Sequence, residues 1–159
     1  MLAAICHRLE RSTPRVALGL ALRNVARCGM DLSDGLAGDL PNILQASSQA
    51  TGEPLGALLD ESALLHLTAD WAPSTLSEAA RLQAALAGGD DYELLFTAPP
   101  AARNAVQAAA ATAGVPVTRV GCIVHLSDAS AADAIRLRDA NGTPRPLPAG
   151  VRGFDYFTA

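Results

Sequence analysis

The chain has 159 residues, enough for one ordinary domain with a tail but not for two full domains. Half of them are hydrophobic, 18% are charged and only 4% aromatic, so a core is available, built mainly from Ala, Leu and Val, and a folded rather than a disordered chain is expected. The formal net charge is −4 and all 12 basic residues are Arg. A weakly acidic surface does not suit nucleic acid or an anionic membrane. The absence of Lys excludes Schiff-base chemistry and a Walker-type phosphate loop.

In chain order, Ser12-Thr13-Pro14 reads as a helix start. The apolar residues Val16, Leu18, Leu20, Leu22 and Val25 then predict a helix over 16–27 that ends at Gly29. An extended segment, 28–33, leads to a second helix over 36–50, with Leu36, Leu40, Ile43 and Leu44 as its buried stripe and Thr51-Gly52 as its stop. Pro41 falls inside it, which predicts a late start or a bend. A strand follows over 53–59, then a mixed stretch to 72, a helix over 75–87 broken by Gly88-Gly89, and a buried strand over 91–97. Pro99-Pro100 stops that strand; a helix over 101–113, a strand over 115–124 and another over 134–137 complete the pattern. Asn141-Gly142 marks a hairpin-type turn. Three of the six aromatics sit in the last six residues, Phe154, Tyr156 and Phe157, which predicts that this end docks on something. The alternation without strict βαβ order predicts an α+β fold, a mixed and largely antiparallel sheet packed with helices.

Cys6, Cys28 and Cys122 are odd in number and far apart, so neither a zinc site nor a disulfide framework is expected; they read as small buried residues in a reducing compartment. No apolar run approaches the ~20 residues of a membrane span, and the leading residues lack the order of a secretory signal. A cytoplasmic protein is the expectation. His7, His66 and His125 show no metal-ligand spacing.

Three segments offer chemistry. Met30-Asp31-Leu32-Ser33-Asp34-Gly35-Leu36 puts two carboxylates and a hydroxyl at the junction of an extended segment and a helix. Hard cations take such oxygen donors, Mg²⁺ commonly with water and phosphate oxygens, and a helix start adds amide donors for phosphate. The competing reading is plain helix capping by Ser33 or Asp34. Gly88-Gly89-Asp90-Asp91-Tyr92-Glu93-Leu94 gathers three carboxylates and a phenol beside a Gly pair that lets the backbone approach a ligand; its competing reading is a polar turn into a strand. Gly153-Phe154-Asp155-Tyr156-Phe157 has an aromatic beside a flexible Gly, suited to stacking on a heteroaromatic ring or, more simply, to anchoring the chain end.

Taken in order, Asp31-Leu32-Ser33-Asp34-Gly35-Leu36, Gly88-Gly89-Asp90-Asp91-Tyr92-Glu93-Leu94-Leu95-Phe96-Thr97 and Gly153-Phe154-Asp155-Tyr156-Phe157 resemble the C-terminal domain of the bacterial thiamine-monophosphate kinases, of the AIR-synthase-related superfamily. Pro14-Arg15-Val16 resembles the family's entry into that domain, and Val120-Gly121-Cys122-Ile123 a later strand. The resemblance implies residues 14–159 as that domain, with 1–13 a lead-in from a missing N-terminal domain. It implies ATP- and Mg²⁺-dependent transfer of a phosphoryl group to thiamine phosphate, giving thiamine diphosphate. It also implies a partner N-terminal domain carrying further metal ligands, a full-length homodimer, and little turnover by this chain alone. Position by position, Asp31 and Asp34 match Mg²⁺ ligands, Ser33 an ATP-contacting residue, and Asp90 and Phe154 substrate-contacting residues; no catalytic side chain is implied. Asp90 departs from the Glu common at its position, Tyr156 from a His, and Pro41 from the usual helix sequence. The rival expectations are a related domain acting on another ATP-activated substrate, and a non-catalytic binding or scaffold domain.

Overall fold

The computed structural model describes residues 11–68, 76–90, 92–126 and 134–153. The chain divides into two compact units: Met1–Ser33 with Asp90–Thr118, and Asp34–Gly89 with Arg119–Ala159.

In the first unit, helix α1 (Val16–Ala21) precedes strand β1 (Cys28–Asp31). Strand β3 (Leu94–Thr97) pairs antiparallel with β1, Cys28 opposite Thr97 and Asp31 opposite Leu94. A 3₁₀ turn (Pro100–Ala102) opens helix α5 (Arg103–Ala113), which stops at Gly114 with φ 63°. Leu18, Leu22 and Ala109 form the buried centre, with Val25, Leu94, Phe96, Val106, Val115 and Val117 packed around it. α1 is shorter than the predicted 16–27 helix. Turns replace its second half, and Asn24 takes a left-handed φ of 64°, a conformation Asn tolerates and a helix does not.

In the second unit, helix α2 (Leu36–Thr51), strand β2 (Leu55–Asp60), helix α3 (Glu61–Leu67) and helix α4 (Glu78–Ala87) are followed by strands β4 (Gly121–His125), β5 (Ile135–Arg138) and β6 (Pro144–Pro146). The sheet order is β4-β2-β5-β6: β2 runs antiparallel to β4 and parallel to β5, and β5 antiparallel to β6. The mixed, mainly antiparallel pairing with packed helices is the expected α+β architecture. Ala57 and Leu59 of β2 and Ile135 and Leu137 of β5 are buried, as are Leu36, Leu40, Ile43 and Leu44 of α2, Leu64 of α3, and Leu82 and Leu86 of α4. Each fully buried Leu contributes about 1.5–3 kcal/mol.

Local details follow from sequence. Ser77 caps α4, its Oγ accepting from the Ala80 amide at 3.2 Å. α2 keeps its start at Leu36 despite Pro41, whose exposed ring lies in the second turn, and ends at Gly52 with φ 74°. Asn141-Gly142 turns β5 into β6: Gly142 has φ 85°, and the Asp139 Oδ1 accepts from the Asn141 and Thr143 amides at 2.9 and 2.8 Å. β6 and α3 were not predicted. β6 is an edge strand, the one place a Pro-x-Pro run fits a sheet. The predicted 115–124 strand begins only at Gly121; Val115 and Val117 instead belong to the core of the first unit. Cys28 and Cys122 are free and half-buried rather than fully buried, the Cys28 Sγ lying 3.2 Å from the Thr97 Oγ1. No helix among the described residues is long and apolar enough to cross a membrane.

Candidate functional site

Within the first unit the first two acidic segments are joined by main-chain hydrogen bonds. The β1–β3 pairing runs on beyond Asp31: the Leu32 amide donates to the Glu93 carbonyl at 2.8 Å, the Tyr92 amide to the Leu32 carbonyl at 2.9 Å, and the Asp90 amide to the Ser33 carbonyl at 2.9 Å. Leu32 thus faces both Tyr92 and Glu93, the two-against-one count of a β-bulge. Bulges need unusual backbone, and Asp90 (φ 62°) and Tyr92 (φ 49°) both take left-handed conformations. For a bulky aromatic that is a strained choice. The result sets Asp31, Ser33 and Asp90 on neighbouring, paired stretches. Asp31 and Asp90 are exposed and Ser33 is half-buried. The Tyr92 hydroxyl lies 3.3 Å from the Asp90 Oδ1.

Glu93 differs from the other acids of its segment. Arg15, just ahead of α1, grips it with two parallel bonds, Nε to Oε2 at 2.8 Å and Nη2 to Oε1 at 2.6 Å. That bond to Glu93 raises the Arg15 pKa above its ordinary range, against a smaller lowering by burial. Such a fork-on-carboxylate pair sets geometry. Of the three carboxylates read in this segment, one therefore fastens the segment to the helix start, while Asp91 lies outside the described residues.

Within the second unit, Asp34, the 87–88 segment and Gly153 meet around the start of α2. Gly35 is the helix N-cap with φ 85° and ψ 165°, a region open essentially to Gly alone. A Cβ there would lie 2.9 Å from the Gly88 carbonyl oxygen and 3.1 Å from the Ala87 Cα. Gly38 packs on Gly153: a Cβ on Gly38 would lie 2.7 Å from the Gly153 Cα, and one on Gly153 would collide with the Gly38 backbone and sit 3.4 Å from the Asp34 carbonyl oxygen. Since Gly35 is the cap residue, Ser33 and Asp34 precede the capping position, and the plain capping reading fails for both. Asp34 is half-buried, and its amide donates to the Asp39 Oδ2 at 2.9 Å.

Sequence reasoning passed over Asp39, Gly38 and the Arg15–Glu93 pair. Asp39 carried a legible signal: it stands between Leu36, Leu40 and Ile43 on the apolar stripe of α2, where an acid is out of place. Phe154 lies outside the described residues; its chain neighbour Gly153 is the packed one.

Among the described residues no three His, Cys, Asp or Glu side chains cluster to hold a metal ion. The donors on offer at Asp31 and Asp34 are carboxylates, the class a hard divalent cation takes. Each taken by itself is of the donor class that suits Mg²⁺, which also takes water and phosphate oxygens.

The fold is an α+β domain in which two acidic segments of the first unit are paired through the main chain. No family model matches the chain. A thiamine-monophosphate kinase of Salmonella typhimurium is 41% identical over 117 residues, 74% of this chain and 34% of the relative. One from Escherichia coli O157:H7 is 37% identical over 147 residues, 92% of this chain and 40% of the relative. The crystal structure of the thiamine-monophosphate kinase of Stenotrophomonas maltophilia superposes with a TM-score of 0.64 at 35% identity, covering 82% of this chain and 37% of that one. The chain is a homologue of the thiamine-monophosphate kinases and spans 34% and 40% of the length of the two curated relatives described.

Proposed function

We propose that this chain supplies the C-terminal domain, residues 14–159, of a cytoplasmic thiamine-phosphate kinase, with residues 1–13 leading in from an N-terminal domain. That domain would complete the metal and nucleotide sites and form the homodimer interface. The reaction moves the γ-phosphoryl of ATP to the phosphate of thiamine phosphate, giving ADP and thiamine diphosphate. The observation that carries the reading is the set of main-chain hydrogen bonds joining Leu32 and Ser33 to Asp90, Tyr92 and Glu93, which hold two acidic stretches of the first unit together.

Carboxylates cannot hold polyphosphate directly, because like charges repel; a bridging divalent ion reverses the sign of the contact. Asp31 and Asp34 are assigned to Mg²⁺, which when bound neutralises phosphate charge. Ser33, between them, is assigned to ATP. Asp90 offers an anionic partner to a cationic thiazolium, and Phe154 a face for its rings. Phosphoryl transfer asks mainly for positioning and charge neutralisation, so no side-chain acid or base is needed, and none is assigned.

The test is reconstitution. The purified chain alone is expected to give little or no thiamine diphosphate from ATP and thiamine phosphate with Mg²⁺. Adding the N-terminal portion of a relative in trans is expected to restore formation of ADP and thiamine diphosphate in equal amounts. Substantial turnover by the chain alone contradicts the division of labour, and activity of the mixture on a different phosphoryl acceptor contradicts the substrate.

A further inference from the structure

We infer that Asp39 is a positioning residue for Asp34, an inference that rests on Asp34 being a Mg²⁺ ligand. Asp39 is 2% exposed, the one charged residue buried among the described residues. A carboxylate is out of place in a core unless its oxygens are hydrogen-bonded. Here the Oδ2 accepts from the Asp34 amide at 2.9 Å. The first turn of a 16-residue helix supports the negative charge further.

Geometry gives the contact its purpose. Between Asp34 and α2 stands only Gly35, at φ 85°, the residue with the widest conformational freedom. Without a tether, the peptide ahead of Gly35 would be free to pivot. The Asp39 bond pins the Asp34 amide, and the direction of the Asp34 side chain follows from its backbone. Buried oxygens keep Asp39 itself from binding an ion from solvent, so it acts through Asp34. The adjacent Gly38–Gly153 contact lies against the same turn, a Cβ on Gly38 coming within 3.0 Å of the Asp34 Cβ. A ligand placed this way keeps its aim before the ion arrives, as preorganised sites require.

The experiment compares the full 159-residue chain with Asp39→Ala and Asp39→Asn. It uses Mg·ATP titration calorimetry well below each melting temperature and hydrogen exchange of the Asp34 amide by NMR. For Asp39→Ala, Mg·ATP binding at least tenfold weaker and a faster-exchanging Asp34 amide are expected. Asp39→Asn keeps an oxygen acceptor, so binding within threefold of wild type and a protected amide are expected. A purely structural Asp39 would lower the melting temperature and leave the binding constant alone; Asp39→Ala binding Mg·ATP like wild type, with its Asp34 amide exposed, overturns the inference while the kinase reading stands. If Asp39→Ala does not fold, Asp39→Asn decides: weak binding with the Asp34 amide still protected overturns the inference. Wild type that fails to bind Mg·ATP at all overturns the inference, since Asp34 then has no ligand to be aimed at, while the kinase reading is decided by the reconstitution.

Discussion

The two stretches that carry the acidic motifs are held in different ways. In the first unit, Leu32 and Ser33 are joined to Asp90, Tyr92 and Glu93 by main-chain hydrogen bonds, with left-handed Asp90 and Tyr92 and an Arg15–Glu93 pair fastening one edge. In the second unit, the start of α2 is held by contacts that exclude side chains, Gly35 against residues 87–88 and Gly38 against Gly153, with one buried carboxylate. Main-chain pairing tolerates side-chain changes, because the bonded groups belong to the backbone. Close glycine packing does not, because any Cβ fills the space it depends on. The first region should therefore accept substitutions that alter function with little loss of stability, and the second should lose stability first.

The largest effect is expected at Gly35→Ala. The added Cβ meets the Gly88 carbonyl and the backbone angle disfavours any L side chain, so about 2–4 kcal/mol of unfolding free energy should be lost in urea titration. Gly38→Ala follows, at about 1–3 kcal/mol, from overpacking against Gly153. A neutral outcome at both positions would remove the contrast between the regions. Arg15→Ala should cost about 1–2 kcal/mol, because the pair is charge-assisted but partly open to water. Asp90→Asn should change stability by less than about 0.5 kcal/mol, since Asn also accepts a left-handed φ, while weakening thiamine phosphate binding at least tenfold by calorimetry. Stability lost in step with binding at Asp90 would give that residue a structural role instead.

The smallest effect concerns pH. Arg15 has its pKa raised in the folded chain by the Glu93 bond. Its contribution is complete below the unfolded value and is lost only as pH rises through the higher folded one. The gap in melting temperature between wild type and Arg15→Ala should therefore stay constant from about pH 7 to pH 10. A gap that closes within that window would mean that Arg15 does not hold its proton there.

What the sequence revealed and what it hid follow from the range of the interactions. The α2 stripe and its glycine stop were legible because both are local, as was the hairpin turn at Asn141-Gly142. The overlong 16–27 helix and the strand expected from 115 failed where the tertiary structure overrode a local pattern: Val115 and Val117 are β-branched, yet their burial partners are Leu18, Leu22 and Ala109. At the site, residue types betrayed the acidic segments but not which acids are spoken for. Glu93 is tied by Arg15, 78 positions away, a partnership that no window of sequence displays. Asp39 was legible in principle, as an acid on an apolar stripe, but its partner was not.

The central claim is that Asp31 and Asp34 bind polyphosphate through divalent ions. Calorimetric titration of Mg·ATP into wild type and into the Asp31→Asn/Asp34→Asn variant tests it most directly. Saturable binding by wild type, abolished by EDTA and at least tenfold weaker in the variant at unchanged melting temperature, is the expected result. Equal affinity in the two proteins would contradict it.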